Sequence, residues 1–283
     1  MEKKIVLVTD STADLSREML DELNIKFLPL KIIYREEQYQ DRIDIEPEEV
    51  CRKMDEEIPT TSMPSPGEIE ELYRKLKAEG YEKIISIHIS SGLSATYSNC
   101  KMVAGQMEDM EIAVIDSKML SMGLGRLVLY AQKLISEGEK SFAEIVEMVE
   151  AKKEEIDLFF IVDTLKYLKE GGRIGKVQGT LAELFNIKPI ISIDEDGEYF
   201  NFDKVRRKKR ALKKMFEITK NKVKEGSYFV DVMHAAAEKE AEKLYNKFAE
   251  LSNVKESILG EISPAMIVHA GPGLIGVVIT RMF

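Results

Sequence analysis

Five hydroxyl side chains crowd into nine residues, at Ser90, Ser91, Ser94, Thr96 and Ser98. They follow an apolar, β-branched run over 84–89, the pattern of a strand covered on both faces, and Gly92 gives the turn backbone freedom. In an open parallel sheet, ligands sit beyond the carboxyl ends of the strands. A helix opening from such a turn also offers free N–H groups to an anion. The turn itself contains no Lys or Arg. An anion held there would rest mainly on neutral donors, which suits a carboxylate better than a polyphosphate.

Four further segments could carry chemistry. Asp10, Ser11, Thr12, Ala13 and Asp14 end the first strand and read either as a helix N-cap or as support for a ligand. Residues 60–68 are stiffened by Pro64 and Pro66, and Ser65 with Glu68 has capping-box spacing. That box leaves Thr60, Thr61 and Ser62 unexplained, and a hydroxyl from this loop could meet the Ser94 turn over one ligand headgroup. The stretch 163–175 contains Gly171, Gly172 and Arg173; the glycine pair stops a short helix, and no GxxxxGK[ST] phosphate loop is present. The fourth segment, 268–276, places His269 in a Gly-Pro-Gly loop, where an imidazole can donate a charged or neutral hydrogen bond near neutral pH. His88 sits mid-strand and reads as structural, while His234 follows a strand and stays ambiguous. A hydrolase built from Ser94, His269 and Asp10 can be drawn. However, no GxSxG elbow, HExxH motif, metal-ligand cluster or GxGxxG accompanies it, so binding fits these residues better than turnover.

These residues need a scaffold, and the composition supplies one. With 283 residues, 44% of them hydrophobic and 32% charged, the chain can build one large or two medium domains with a real core. A net charge of −9 argues against a nucleic-acid partner. The basic run from Arg206 to Arg210 is the exception, read as a solvated helix start or as a dock for an acidic partner or anionic headgroups. Cys51 and Cys100 stand far apart with no CxxC, which argues against a disulfide framework or a metal site. Neither a signal-peptide core nor an apolar stretch of roughly 20 residues is present, so a cytoplasmic location is expected.

The periodicity predicts strands at 5–8, 26–33, 84–89 and 112–115, alternating with helices at 14–23, 47–54, 95–107 and 123–136 and one ending near 78. Such alternation means a mostly parallel sheet. A charged helix over 141–155 leads to a second region with strands at 158–162 and 189–193. The turn 194–198 makes a hairpin with 199–202. A long basic helix, a strand at 228–233, a helix at 237–251 and a strand at 276–280 follow. The expected fold class is α/β: two packed lobes, 1–156 with a mostly parallel Rossmann-like sheet and 157–283 with a mixed sheet, and a cleft between them.

Taken together, the motifs resemble the DegV family over nearly the whole chain. Asp10-Ser11-Thr12-Ala13-Asp14, Thr61-Ser62-x-Pro64-Ser65, Ser90-Ser91-x-Leu93-Ser94-x-Thr96-Tyr97, Gly171-Gly172-Arg173-Ile174 and His269-x-Gly271-Pro272-Gly273 occur in that family's order. The resemblance implies a protein that encloses one long-chain fatty acid in an apolar tunnel between its lobes, with no catalytic residue, metal or other cofactor of its own. Thr61 and Ser94 would hold the carboxylate, with Ser62, Thr96 and His269 beside them. It also implies a partner, the ATP-using subunit of a bacterial fatty acid kinase, which makes acyl phosphate for phospholipid synthesis. Arg206, in the Lys-Val-Arg segment, would work with that kinase, and Arg173 carries no assigned role. Transient membrane contact through the basic run stays open. Met63 and Ala95 depart from the Gln and Gly of many relatives but leave Thr61 and Ser94 in place.

Elementary energetics agree with a lipid. Burying about 14 methylenes is worth on the order of 10 kcal/mol before ordering costs, and a buried carboxylate must then be hydrogen-bonded. The 14 Met and 11 Phe would suit an adaptable tunnel or simply fill the core. The rival readings are a small-molecule hydrolase or transferase using Ser94 or His269, and a lipid-responsive regulatory protein.

Overall fold

The computed structural model describes residues 5–183 and 187–283. Strand β1 (Ile5–Asp10) runs into a short 3-10 turn whose first free N–H, that of Thr12, is accepted by the Asp10 carboxylate. Helix α1 (Arg17–Glu22) is capped by Ser16, and the strands β2 (Lys26–Leu28), β3 (Lys31–Ile33) and β4 (Gln38–Gln40) follow. Next come α2 (Pro47–Lys53), β5 (Thr60–Ser62) and α3 (Pro66–Ala78), the last opened by the expected Ser65–Glu68 capping box. Then β6 (Lys83–His88), α4 (Thr96–Ala104), β7 (Glu111–Asp116), α5 (Met122–Glu137) and α6 (Phe142–Lys152) complete the first half.

The first sheet is fully parallel in the order β2-β1-β6-β7. The single strand expected over 26–33 is two strands. Pro29 has no N–H to give a ladder, so the run breaks there. β2 stays in the parallel sheet, and β3 turns away to centre a small antiparallel sheet, β4-β3-β5. Residues 60–62, expected as loop, are the edge strand of that small sheet.

The second half holds β8 (Ile156–Ile161), α7 (Lys166–Glu170), β9 (Ile187–Ile193) and β10 (Tyr199–Arg206). It continues with α8 (Lys208–Lys222), β11 (Tyr228–His234), α9 (Glu238–Ala249), β12 (Val254–Lys255), β13 (Leu259–Glu261), α10 (Pro264–Ala270) and β14 (Ile275–Arg281). The sheet order is β10-β9-β8-β14-β11-β12, with β13 also beside β11. Only β12 and β13 lie parallel to their neighbour, so the sheet is mixed, as expected. The predicted hairpin forms, with Tyr199 opposite Ile193, but its second strand extends to Arg206. The basic run therefore straddles a strand end and a helix start. Arg206 closes β10, Arg207 takes a positive φ of 73°, and Lys208 opens α8.

Strand alternation sorts the apolar side chains into layers. Val6 and Val8 point outward under α3 and α4, while Leu7 points inward. Val277 and Ile279 pack outward with Met215 of α8 and Phe248 of α9, while Val278 points inward. Between the sheets, one buried cluster joins Leu7 and Ile85 to Leu124 and Leu127 of α5, Ile267 of α10 and Phe160 of β8. The two α/β lobes share this middle layer. A buried ion pair ties it further: Arg126 on α5 donates through Nε and Nη2 to Asp231 on β11, at 2.7 and 2.5 Å. Among the described residues, no helix is long and apolar enough to cross a membrane.

Candidate functional site

The middle layer is not solid. A chamber of about 290 Å³ lies where β1 and β6 end, roofed by α10 and floored by the inner face of the C-terminal sheet. Leu30, Leu120, Phe160, Met233, Ile262 and Met266 give it a hydrocarbon wall. Among the described residues, Met63, Met233, Met266 and Phe160 are the only Met and Phe that line it, while others such as Met54, Met122, Phe159 and Phe248 are buried in the core elsewhere.

Polar groups gather at one end. Thr61 is held by β5, whose register places it opposite Ile32 of β3. Ser94 closes the turn after β6, with its N–H and that of Leu93 both donating to the Ser90 carbonyl. His269 stands in the last turn of α10, not in a loop as the Gly-Pro-Gly spacing predicts. The helix went unseen because 264–270 is apolar on every side and short, although Ser263-Pro264 is a good N-cap and first-turn pair. Gly271, with φ 75°, then stops it; a side chain there would strike the Tyr167 ring.

The His269 Nε2 lies 2.7 Å from Thr61 Oγ1. Its Nδ1 is buried with no hydrogen-bond partner and faces Gly171, where any Cβ would collide with the ring. Burial, aided by the nearby Arg173 guanidinium, pushes the His269 pKa down to about 4. The imidazole is therefore neutral at pH 7. An unpaired donor costs more to bury than an unpaired lone pair against a glycine, so the proton belongs on Nε2. Thr61 Oγ1 then accepts from His269, and its own O–H is free to donate into the chamber. Ser94 behaves alike. Its Oγ accepts from the Thr96 N–H at 3.3 Å and lies 2.9 Å from Thr96 Oγ1, so a proton given by Thr96 frees the Ser94 hydroxyl to point inward.

Arg173 completes the polar end and adds a cation beside the mainly neutral donors expected of the Ser94 turn. It lies beyond the glycine pair that ends α7, and its Nε donates to the Leu93 carbonyl and its Nη1 to the Gly171 carbonyl. Those two bonds pin the guanidinium between the Ser94 turn and the His269 packing site. The sequence offered Gly171-Gly172-Arg173-Ile174 as a motif but no sign that it folds back across 80 residues to Leu93.

The remaining predicted residues fall less centrally. Ser62 lines the rim beside Met63, its hydroxyl donating to the Met63 carbonyl. Thr96 is fully buried behind Ser94 and is not part of the chamber wall. Of the five clustered hydroxyls, only Ser94 faces the chamber. Ser90 donates to the Gly197 carbonyl of the β9–β10 hairpin, Ser91 takes a bond from Lys118, and Ser98 is exposed. Arg206 is exposed at the end of β10 and does not line the chamber. Thr12, within the 10–14 segment read as possible ligand support, joins the wall, and so does Ser121, which no motif marked.

The imagined Ser94–His269–Asp10 relay is not assembled. Asp10 instead lies 3.1 Å from Nδ1 of fully buried His88, whose Nε2 meets Ser86, which gives His88 the structural role expected of it. His234 ends β11 outside the wall, with its Nδ1 3.7 Å from Glu261. Among the described residues, no group of three or more His, Cys, Asp or Glu side chains could hold a metal ion. What the chamber can do chemically is grip an anionic group at one end while covering an apolar body.

Comparison with known proteins places this geometry. Residues 4–281 match the family described as "Uncharacterised protein, DegV family". A DegV domain-containing protein of Clostridium acetobutylicum is 45% identical over 279 residues, covering 99% of each chain. Among solved structures, a DegV family protein from Thermus thermophilus, described for its fatty acid binding, superposes with a TM-score of 0.93 at 29% identity. That match covers 99% of this chain and 100% of the other. DegV of Bacillus subtilis, described as a fatty acid binding protein, gives a TM-score of 0.92 at 30% identity with the same coverage.

Proposed function

The chain belongs to the DegV family, and from that premise we propose that it carries one long-chain fatty acid in the chamber between its lobes, 1–156 and 157–283. The carboxylate sits at the polar end. Thr61 and Ser94 donate to it through their free hydroxyls, and Arg173 supplies the positive charge. His269 orients Thr61, Ser62 stands at the rim, and Thr96 orients Ser94. The single observation that carries this reading is a hydrocarbon-walled chamber with its anion-suited donors gathered at one end. The fatty acid binding described for the Thermus and Bacillus proteins supports it.

The position of that end supports the carrier role. Thr61, Ser62, Ser94 and Arg173 are only half-buried, so a bound carboxylate stands near solvent while its alkyl chain does not. A carboxylate so placed can be reached by a second protein. We assign that role to an ATP-using fatty acid kinase subunit that forms the acyl phosphate for phospholipid synthesis, in the cytoplasm. Arg206, exposed near the basic start of α8, is the docking contact, and the same run gives transient contact with anionic membrane.

The headgroup assignment is tested with Thr61→Ala and Ser94→Ala. Each removes one hydrogen bond to a charged group, worth about 1.5–3 kcal/mol. Affinity for radiolabelled stearate is expected to fall by roughly 10- to 150-fold in each, with the melting temperature little changed. Unchanged affinity in both variants would refute the assignment.

A further inference from the structure

The chamber has a second polar feature, away from the headgroup. Thr12 and Ser121 both line the wall, and Ser121 N–H donates to the Thr12 carbonyl at 2.8 Å, so the two sit together. Their hydroxyl protons are committed elsewhere. Thr12 Oγ1 donates to Asp10 at 2.5 Å, and Ser121 Oγ donates to Asp14 at 2.6 Å. Both acceptors are fixed by other donors: Asp10 by the Ile89 N–H, and Asp14 by Arg42 and the Ser263 N–H. With their protons so committed, the hydroxyl oxygens of these two wall residues can offer only lone pairs. A hydrocarbon chain leaves these lone pairs unanswered, whereas a hydroxyl in the ligand donates to them.

Helix α10 measures how far this pair lies from the headgroup. Asp14 bonds both Ser121 and Ser263, the N-cap of α10, while His269 stands six residues further along. At a rise of 1.5 Å per residue that separation is on the order of 10 Å. An extended alkyl chain with C–C bonds of about 1.5 Å at near-tetrahedral angles advances roughly 1.25 Å per carbon. The pair thus meets the chain about seven to eight carbons from the carboxylate. Resting on the carrier reading above, we propose that the chamber accepts long-chain fatty acids bearing a mid-chain hydroxyl, whose proton is received by Ser121 and Thr12.

The test compares stearate with 9-hydroxystearate by calorimetric titration of the purified chain at pH 8. In a wholly apolar wall, a hydroxyl without a partner weakens binding by about 5- to 150-fold. Here the wild-type chain is expected to bind 9-hydroxystearate within threefold of stearate or more tightly. Ser121→Ala and Thr12→Val are each expected to worsen the ratio of hydroxystearate to stearate affinity by about tenfold. The wild-type ratio stands even where a variant folds poorly. Stearate binding accompanied by hydroxystearate binding more than 30-fold weaker would overturn this inference alone. Binding of neither acid would remove the carrier reading and this inference with it.

Discussion

Replacing Arg173 by Met tests the electrostatics of the polar end most sharply. The guanidinium is the one cation that lines the chamber among the described residues, held by the carbonyls of Leu93 and Gly171. A unit-charge pair at about 4 Å in an effective dielectric near 20 is worth at most about 4 kcal/mol. Hydrogen bonds to charged groups give a net 1.5–3 kcal/mol, and that smaller range is the better guide for a half-exposed site. Stearate affinity should therefore fall by roughly 10- to 150-fold. Stearyl alcohol carries no charge, so its affinity should fall several-fold less. Arg173→Lys should recover part of the loss for stearate, and added salt should weaken wild-type binding more than the Met variant's. A second readout is internal. With only three histidines in the chain, NMR titration can follow His269 alone, and removing the guanidinium should raise its pKa from about 4. Equal losses for acid and alcohol, or no loss for either, would refute the idea that Arg173 acts on the carboxylate by charge.

Three other perturbations follow from the same geometry. Gly171→Ala puts a methyl group where the His269 ring packs, so it should displace the ring from Thr61 and weaken stearate binding about tenfold, read by titration. Burial raises Asp41 to about 7, so between pH 4 and 7 the folded chain holds a proton that the unfolded chain has released. Stability should then decline as pH rises through that window, by up to about 1.4 kcal/mol per pH unit from this group. Asp14, raised by burial to about 6, acts in the same direction, whereas His269, lowered to about 4, opposes it between pH 4 and 6.5. Asn at position 41 can accept from the Ala265 N–H and donate to Ser11, so Asp41→Asn should flatten the slope in melts across pH 4–8; an unaltered slope would refute the argument. Arg206→Ala should leave stearate affinity unchanged while slowing acyl-phosphate formation by the kinase subunit, because Arg206 lies outside the chamber wall.

Much of the scaffold was legible, and the reasons are local. The β-branched runs at 84–89 and 228–233, the Ser65–Glu68 capping box and the acidic turn at 194–198 each declare themselves within a few residues. The errors fall where tertiary context decided. Pro29 divided what the hydropathy joined, and β5 exists because β3 offers it an edge. Helix α10 shows no amphipathic stripe because it is buried all round between the lobes, and its N-terminus is held by Asp14 and Asp41, more than 220 residues away in sequence. The site was legible as motifs but not as a circuit. Thr61, Ser94 and His269 were visible as residue types. Arg173 in the wall, Thr96 behind it and the Thr12–Ser121 pair needed the fold to bring distant segments together.

Native mass spectrometry of the purified chain, followed by denaturation and lipid extraction, tests the central claim most directly. If the chain carries one long-chain fatty acid, one fatty acid of about 14–18 carbons per chain is expected, either co-purifying or taken up on incubation. A protein mass unshifted by incubation with a series of fatty acids would contradict it.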